Sequence, residues 1–532
     1  MPLCFPSPPP SATMSRKTRA RPRGLWKGRG TPTQGLAFHS DDNPRPSKRQ
    51  RGLCHSEYTS DDEQHSSGDE NCYYLLQVSP ESERSDSVCS EMDTGEGPSA
   101  EMEKVEDWED LKELFARAAE QYDNDDVHEA LPLLRGVIHE CHRFLLLYED
   151  PSVLFAEPTR RSKSPEPISV SPSSKQPQKC KCRESPTAFH AILGTSLFLF
   201  GSLLAQDASL AVADEPTNPA TYWLAALDVF ETGENLPSRT SGRGCQYPED
   251  WRMAIVWGRT LLAVADEVVK REHSTTLLPP LPPEPKWPNP AASPFAAIAM
   301  RRPPASRRIT LTTTAPHDLL LLAMDQFTRG IFHMPHPAHA ADDAPADAAR
   351  PFSRATELFT IAREVLALAE RLPAPAERTR WATWADSVLQ QMDLEGDTAR
   401  DEWRGPVTRA RGRCWLVVGT ARMEDIEAMA EERGWEDSVL DCEEAGEARE
   451  GLVRAIEFFE RAAGSAKGEF GDSTEGEGGK ELSDEEQELR AFLAEALLTL
   501  ANLTKEEDKR EELYRRAQEL DGDVLDGMDL DE

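Results

Sequence analysis

The run Val105-Glu106-Asp107-Trp108-Glu109-Asp110-Leu111-Lys112-Glu113-Leu114-Phe115-Ala116-Arg117-Ala118 decides the fold. Its apolar members, Trp108, Leu111, Leu114, Phe115 and Ala118, recur at intervals of three and four, the period of a helix with one buried face. The same period returns at about 126–148, 187–206, 219–231, 249–271, 316–331, 352–371, 377–393, 413–432, 447–463, 483–503 and 506–520. No stretch carries the β-branched alternation of a sheet, apart from short ambiguous runs such as Trp415-Leu416-Val417-Val418. The class expected is all-α.

Several of these helices share one spacing: Leu111/Phe115/Ala118, Ala226/Phe230/Gly233, Ala355/Phe359/Ala362, Ala455/Phe459/Ala462 and the partial Tyr514/Ala517. At 100° per residue, positions i, i+4 and i+7 fall within about 60° of one another, so an aromatic ring stands between small residues on one face. A small residue admits a neighbouring helix closely and the ring fills the space beside it, the device of the second helix of tetratricopeptide repeats. Leu193-Gly194-x2-Leu197 and Trp257-Gly258-x2-Leu261 echo the first helix of such a repeat. The aromatics at 115, 230, 359, 459 and 514 are spaced by 115, 129, 100 and 55 residues rather than a steady period. The spacing therefore predicts a degenerate tetratricopeptide-like helical-hairpin solenoid, with a helical bundle lacking repeats as the alternative.

The chain has 532 residues, room for about three domains at roughly 150 residues each or for one repeat array with tails. Its charge is 60 − 95 = −35 and only 38% of it is hydrophobic, so part of the chain is expected to lie outside any core. Residues 1–104 are expected to be a disordered tail, first basic and then acidic. Residues 14–51 hold eleven Lys/Arg against two Asp, net +9, and residues 57–110 hold eighteen acids against Arg84 and Lys104, net −16. Helical repeats follow over 105–272, with an insertion at 151–186, and over 316–520, with an insertion at 333–351. A proline-rich segment at 273–315, carrying ten prolines, separates the two parts, and 521–532 is an acidic tail.

Ten cysteines scattered along the chain fit a reducing compartment rather than a disulfide scaffold. Prolines near the N-terminus interrupt any secretory signal, and the longest apolar stretch, Ala191–Ala205, is 15 residues, short for a bilayer crossing. No membrane partner is expected.

The motifs of common enzymes are missing, so no catalytic residue, metal or cofactor is assigned. Gly479-Lys480-Glu481 lacks the upstream glycine and the Ser/Thr of a phosphate loop. His333-x2-His336-x2-His339 is interrupted by Pro335 and Pro337, and Cys180-Lys181-Cys182 has no second cysteine pair nearby. The segment Arg400–Arg413 mixes arginines with Trp403, a pattern that suits either RNA contact or an ordinary charged helix surface. Lys48, Arg49 and Arg51 fit a nuclear-import peptide in accessible basic chain, which an import carrier would read with acidic pockets.

The helix at 126–148 reads Leu134-Arg135-Gly136-Val137-Ile138-His139-Glu140-Cys141-His142-Arg143-Phe144-Leu145. Through Gly136, Ile138, His139, Glu140, Cys141 and Arg143 this string resembles the fungal enhancer of translation termination family. The basic run after Met14, the acidic stretch before the first helix and Glu512-Leu513-Tyr514-Arg515-Arg516-Ala517-Gln518 near the end are similar to the same family. His142 departs from the aspartate of the family pattern, and Met14 is an alternative start to Met1. The resemblance implies a nuclear helical-repeat protein without catalytic activity, acting in correct translation termination and oxygen-responsive transcription regulation. It implies as partner a prolyl-hydroxylase-like 2-oxoglutarate dioxygenase. On the helix, Ile138 and Cys141 are expected in the core, with His139 and Glu140 capping or bonding neighbouring helices. The competing expectation is an RNA- or ribosome-binding factor that uses the basic arm.

Overall fold

The computed structural model describes residues 98–155, 184–212, 215–236, 250–274, 309–336, 352–392, 397–433, 437–469 and 484–525. From Met102 on they lie in one compact unit; Pro98–Glu101 fall in a second, of which only they are described. Every regular element among the described residues is helical: α1 Pro98–Asp123, α2 Val127–Leu147, α3 Ala188–Gln206, α4 Pro219–Glu234, α5 Trp251–Ser274, α6 Pro316–His333, α7 Arg354–Ala369, α8 Pro375–Gln391, α9 Asp397–Thr420, α10 Met423–Arg433, α11 Asp437–Leu440, α12 Glu443–Glu469, α13 Asp484–Asn502 and α14 Glu507–Leu525, with 3-10 turns at Pro151–Leu154 and Ala208–Leu210. The all-α class read from the periodicity is the class observed.

Local chemistry sets many of the boundaries. Asp126 caps α2 by accepting the Glu129 N–H at 3.1 Å, and Asp125 before it takes φ 62°, a left-handed turn that aspartate tolerates. Asn218 and Ser353 cap α4 and α7, and prolines open α4, α6 and α8 where an N–H has no helical partner to lose. Two boundaries differ from expectation. The first helix begins at Pro98 rather than Val105, seven residues ahead of the first turn that carries its apolar face. The expected helix at 413–432 is two elements: α9 runs from Asp397 through Pro406 to Thr420, and α10 follows after a turn at Ala421–Arg422. The arginine run and Gly405-Pro406 hid the start of α9, although arginine is a good helix former.

The helices pack as successive pairs, α1/α2, α3/α4, α5/α6, α7/α8, α9/α12 and α13/α14, with the short α10 and α11 inserted inside the fifth. The first helices touch in sequence, α3 on α5, α5 on α7, α7 on α9 and α9 on α13. A ring-into-glycine contact locks three of the pairs. Phe230 of α4 occupies the space where Gly194 of α3 would carry a Cβ; Phe327 of α6 does the same at Gly258 of α5, and Phe459 of α12 at Gly412 of α9. A Cβ added at Gly258 or Gly412 would lie 2.7 or 2.5 Å from the ring, so a side chain there would push the pair apart.

Helix α3 reaches 19 residues and, by length and composition, is long and apolar enough to cross a membrane, longer than the apolar stretch read from the sequence. Its residues are instead buried, packed by α2, α4 and α5, as expected for the central helix of a helical core. The first residues of the expected insertion at 151–186 also pack inward: Leu154 and Phe155 are buried, and the Phe155 ring lies 4.8 Å from that of Trp108.

Candidate interaction surface

Charge is built into the joints between pairs. Arg259 of α5 is 2% exposed and sits between Glu357 and Glu364 of α7, at 2.7 Å and 2.8 Å. Glu357 is buried with Arg259 while Glu364 keeps some exposure, and burial pushes Glu357 up to about 7 against the pull of Arg259, with the nearby Glu364 adding to the rise. Arg371 pairs with the buried Asp266 of α5, which Lys270 also approaches at 3.1 Å. Arg329 of α6 reaches Glu234 of α4 at 3.1 Å, and Arg516 of α14 reaches Glu460 of α12.

The arginine-rich segment belongs to the same scheme. Arg409 pairs with Glu485 of α13, Arg411 with Asp386 of α8 and Arg413 with Glu370, each at 2.7 Å. Arg411 also lies over the Phe458 ring and Arg413 over Phe492. Of the two uses open to this segment, these three side chains serve helix packing.

The α2 string divides between core and surface. Ile138 and Cys141 are buried, and burial raises the Cys141 thiol well above its ordinary value. Gly136 lies against Leu114 of α1 and His139 is exposed. Arg143 donates to Glu140 at 2.5 Å and to Asp107 of α1 at 3.1 Å, tying the first pair together. Burial and the neighbouring His139 lower the His142 pKa. Arg135 within the string had drawn no role from its sequence, yet its guanidinium grips Glu215 with two bonds, 2.6 and 2.8 Å, and the Leu210 carbonyl at 2.9 Å, holding the chain after α3.

Among the repeat aromatics, Phe230 and Phe459 are fully buried and Phe115 is buried. Phe359 is only half-buried, stacked near Trp403 at 4.9 Å with Arg363 over its ring. Its helix α7 is the first of a pair, so the ring looks toward α9 rather than into the pair's own seam. Tyr514 is half-buried and its hydroxyl donates to Asn502 at 2.5 Å. The ring missed was Phe327, although Ala323/Phe327/Gly330 has the same spacing as Ala226/Phe230/Gly233. The buried Arg259 was missed too; a lone arginine within Ile255-Val256-Trp257-Gly258-Arg259-Thr260-Leu261-Leu262 was its signal.

Lys48, Arg49 and Arg51 lie outside the described residues, as do Cys180, Cys182, His339 and Gly479–Glu481. His333 and His336 are exposed, and no cluster able to hold a metal ion occurs among the described residues.

A shallow concavity lies between α6 and α8. It has a volume of about 290 Å³ and is lined by Thr328, Ile331 and Phe332 of α6, His336, Arg354 at the start of α7, and Trp384, Val388 and Gln391 of α8. Arg354 is held in place by the Ile331 and Met334 carbonyls at 2.9 and 3.1 Å.

No family model matches the chain, and no curated protein matches it. Three solved structures are similar to it, all of the S. pombe nuclear import adaptor Nro1. The form in space group P21 is 12% identical with a TM-score of 0.41, covering 80% of this chain and 95% of that one. A second, described as the hypoxic regulator of sterol synthesis and a nuclear import adaptor, is 13% identical with a TM-score of 0.42, covering 81% and 91%. The form in space group P6522 is 13% identical with a TM-score of 0.40, covering 84% and 95%. The likeness is distant, and assigns neither partner nor role.

Proposed function

We propose that this chain is a nuclear, non-enzymatic adaptor: a stack of helix pairs that holds a protein partner and through it acts in translation termination and in oxygen-responsive transcription. The observation that carries the reading is the string Leu134–Leu145 on α2, whose family resemblance supplies the role, set in stacked helix pairs, which offer extended surfaces to peptides and domains. By that resemblance the partner is a prolyl-hydroxylase-like 2-oxoglutarate dioxygenase. Import rests on Lys48, Arg49 and Arg51 in the basic arm, read by an import carrier.

Affinity capture of the native chain from nuclei, followed by mass spectrometry, tests the partner; a 2-oxoglutarate dioxygenase is expected. Read-through of stop codons should rise in cells lacking the chain, and unchanged read-through would remove the termination role. Alanine at the three import positions should move a fluorescent fusion toward the cytoplasm, and loss of residues 14–51 should move it further.

The second reading, an RNA- or ribosome-binding factor, draws on the net +9 of residues 14–51. Phosphate contacts weaken steeply with salt, whereas a groove-bound protein partner is far less sensitive, so the salt dependence of binding separates the two.

A further inference from the structure

The third and fourth pairs touch through α5 and α7, and at that joint one buried cation serves two carboxylates. Arg259 of α5 and Glu357 of α7 are each 2% exposed, while Glu364, two turns further along α7, is 21% exposed. The Arg259 Nε donates to Glu364 Oε2 at 2.8 Å in an aligned bond. Its Nη2 comes within 2.7 Å of Glu357 Oε1, yet neither atom has a partner in hydrogen-bond geometry among the described residues. The guanidinium is thus committed to the carboxylate that keeps some water. It approaches the fully buried one without the alignment of a charge-assisted bond.

Burial is the largest influence on Glu357, and it favours the neutral acid. The charged groups felt there are Arg259 of α5, which favours the anion, and Glu364 of α7 and Asp123 at the end of α1, which disfavour it. Glu357 lies in the first turn of α7, whose positive end also favours an anion, but a helix end is a modest effect beside desolvation. The balance leaves the carboxyl at about 7. With Glu357 protonated, Arg259 and Glu364 make a neutral pair and the buried acid is uncharged. With Glu357 ionised, two carboxylates face one guanidinium, and the readiest relief is for α5 and α7 to part so that water reaches it.

We propose that Glu357 is a proton-operated latch between the third and fourth pairs: with its proton it lets α5 close on α7, and without it the two helices part locally. Because the closed joint binds the proton more tightly than the open one, closing is favoured as pH falls and is lost as pH rises through neutrality. The latch is a control on how firmly two parts of the stack are joined, separate from whatever the stack holds.

Hydrogen exchange of the full chain, read by mass spectrometry and corrected for the intrinsic pH dependence of exchange, tests the latch. From about pH 6 to about pH 8 the opening equilibrium of α5 and α7 should rise about tenfold, the ratio set by one group at about 7 when closed and 4.5 when open. Glu357→Gln keeps the shape without the charge and should hold both helices at their low-pH protection throughout. Glu364→Gln, at the more exposed partner, leaves Arg259 to Glu357 alone and should move the midpoint of the rise to lower pH. Glu450→Gln, at an exposed ion pair on α12, should leave the rise as it is in the parent chain. Infrared difference spectra between the same two pH values should contain a protonated-carboxyl band that Glu357→Gln lacks. A rise below twofold in the parent chain, a rise of equal size in Glu357→Gln, or an unmoved midpoint in Glu364→Gln would overturn the proposal. So would an infrared band at Glu357 with no change in the exchange of α5 and α7, which would mean a proton bound without a latch.

Discussion

From Trp108 to Cys414 one apolar cluster runs through the stack, and from Leu416 to Ala517 another. The first is built of rings, among them Trp108, Phe144, Phe189, Trp223, Phe230, Phe327 and Trp381, all fully buried. The second has one fully buried ring, Phe459, and is otherwise alanine, leucine and a few other aliphatic side chains. Their charges differ as well. The first buries Arg259 with Glu357 and sets Asp386 under Arg411, whereas the second pairs charges on its surface, as in Arg454 with Glu450, Arg510 with Glu507 and Arg515 with Glu512. Residues 423–532 hold 36 acids against 12 bases, so −24 of the chain's −35 resides there. The same paired architecture thus stands on two foundations: shape and desolvated charge in one region, close approach of small residues and good helix formers in the other. The second should open locally more readily than the first.

The largest effects should come from the ring-into-glycine seams that both regions share. Phe230→Ala and Phe459→Ala should each cost about 3–5 kcal/mol in chemical denaturation, since each ring fills a site with no other occupant. Hydrogen exchange should show each loss confined to its own cluster, and a loss spread evenly over both would erase the distinction between them.

Arg259→Met strands two carboxylates and should cost about 3–5 kcal/mol, felt in the first region alone. Glu357 gives this joint a pH dependence of unusual sign. Its folded value of about 7 lies above the ordinary 4.5, so between those values the folded chain binds more protons than the unfolded one. From this group, stability is gained as pH falls from above 7 toward 5 and lost as pH rises through 7. Glu357→Gln should remove that slope; an identical pH profile in the variant would show that Arg259 keeps Glu357 ionised throughout.

Phe359→Ala should cost less, roughly 1–2 kcal/mol, because the ring is only partly buried against the first cluster, beside Trp403 and Arg363. A loss equal to that of Phe459→Ala would mean that α7 and α9 share a seam as tight as the one inside a pair. The smallest effect expected is that of salt. Uncompensated acids outnumber the paired ones in the second region, so screening relieves repulsion, and α12–α14 should exchange more slowly at 0.5 M than at about 0.05 M salt, by less than 1 kcal/mol. Faster exchange would put the surface ion pairs ahead of the repulsion.

Periodicity, caps and composition determined the helices, the all-α class and the repeated small-aromatic-small face, because each is written within a turn or two of chain: Asp126 needs only Glu129, and Phe230 only Ala226 and Gly233 beside it. The start of α9 was illegible because Gly405-Pro406 is a local stop signal that the surrounding packing overrides. Which glycine receives which ring, why Phe359 stays partly exposed while Phe327 does not, and why Arg259 can be buried at all were decided only by tertiary structure. Arg259 meets Glu364 across 105 residues, and Arg354 at the start of α7 bonds the Ile331 and Met334 carbonyls at the end of α6. Those are statements about which faces meet after the pairs have stacked, and desolvation gives each charge its meaning only then.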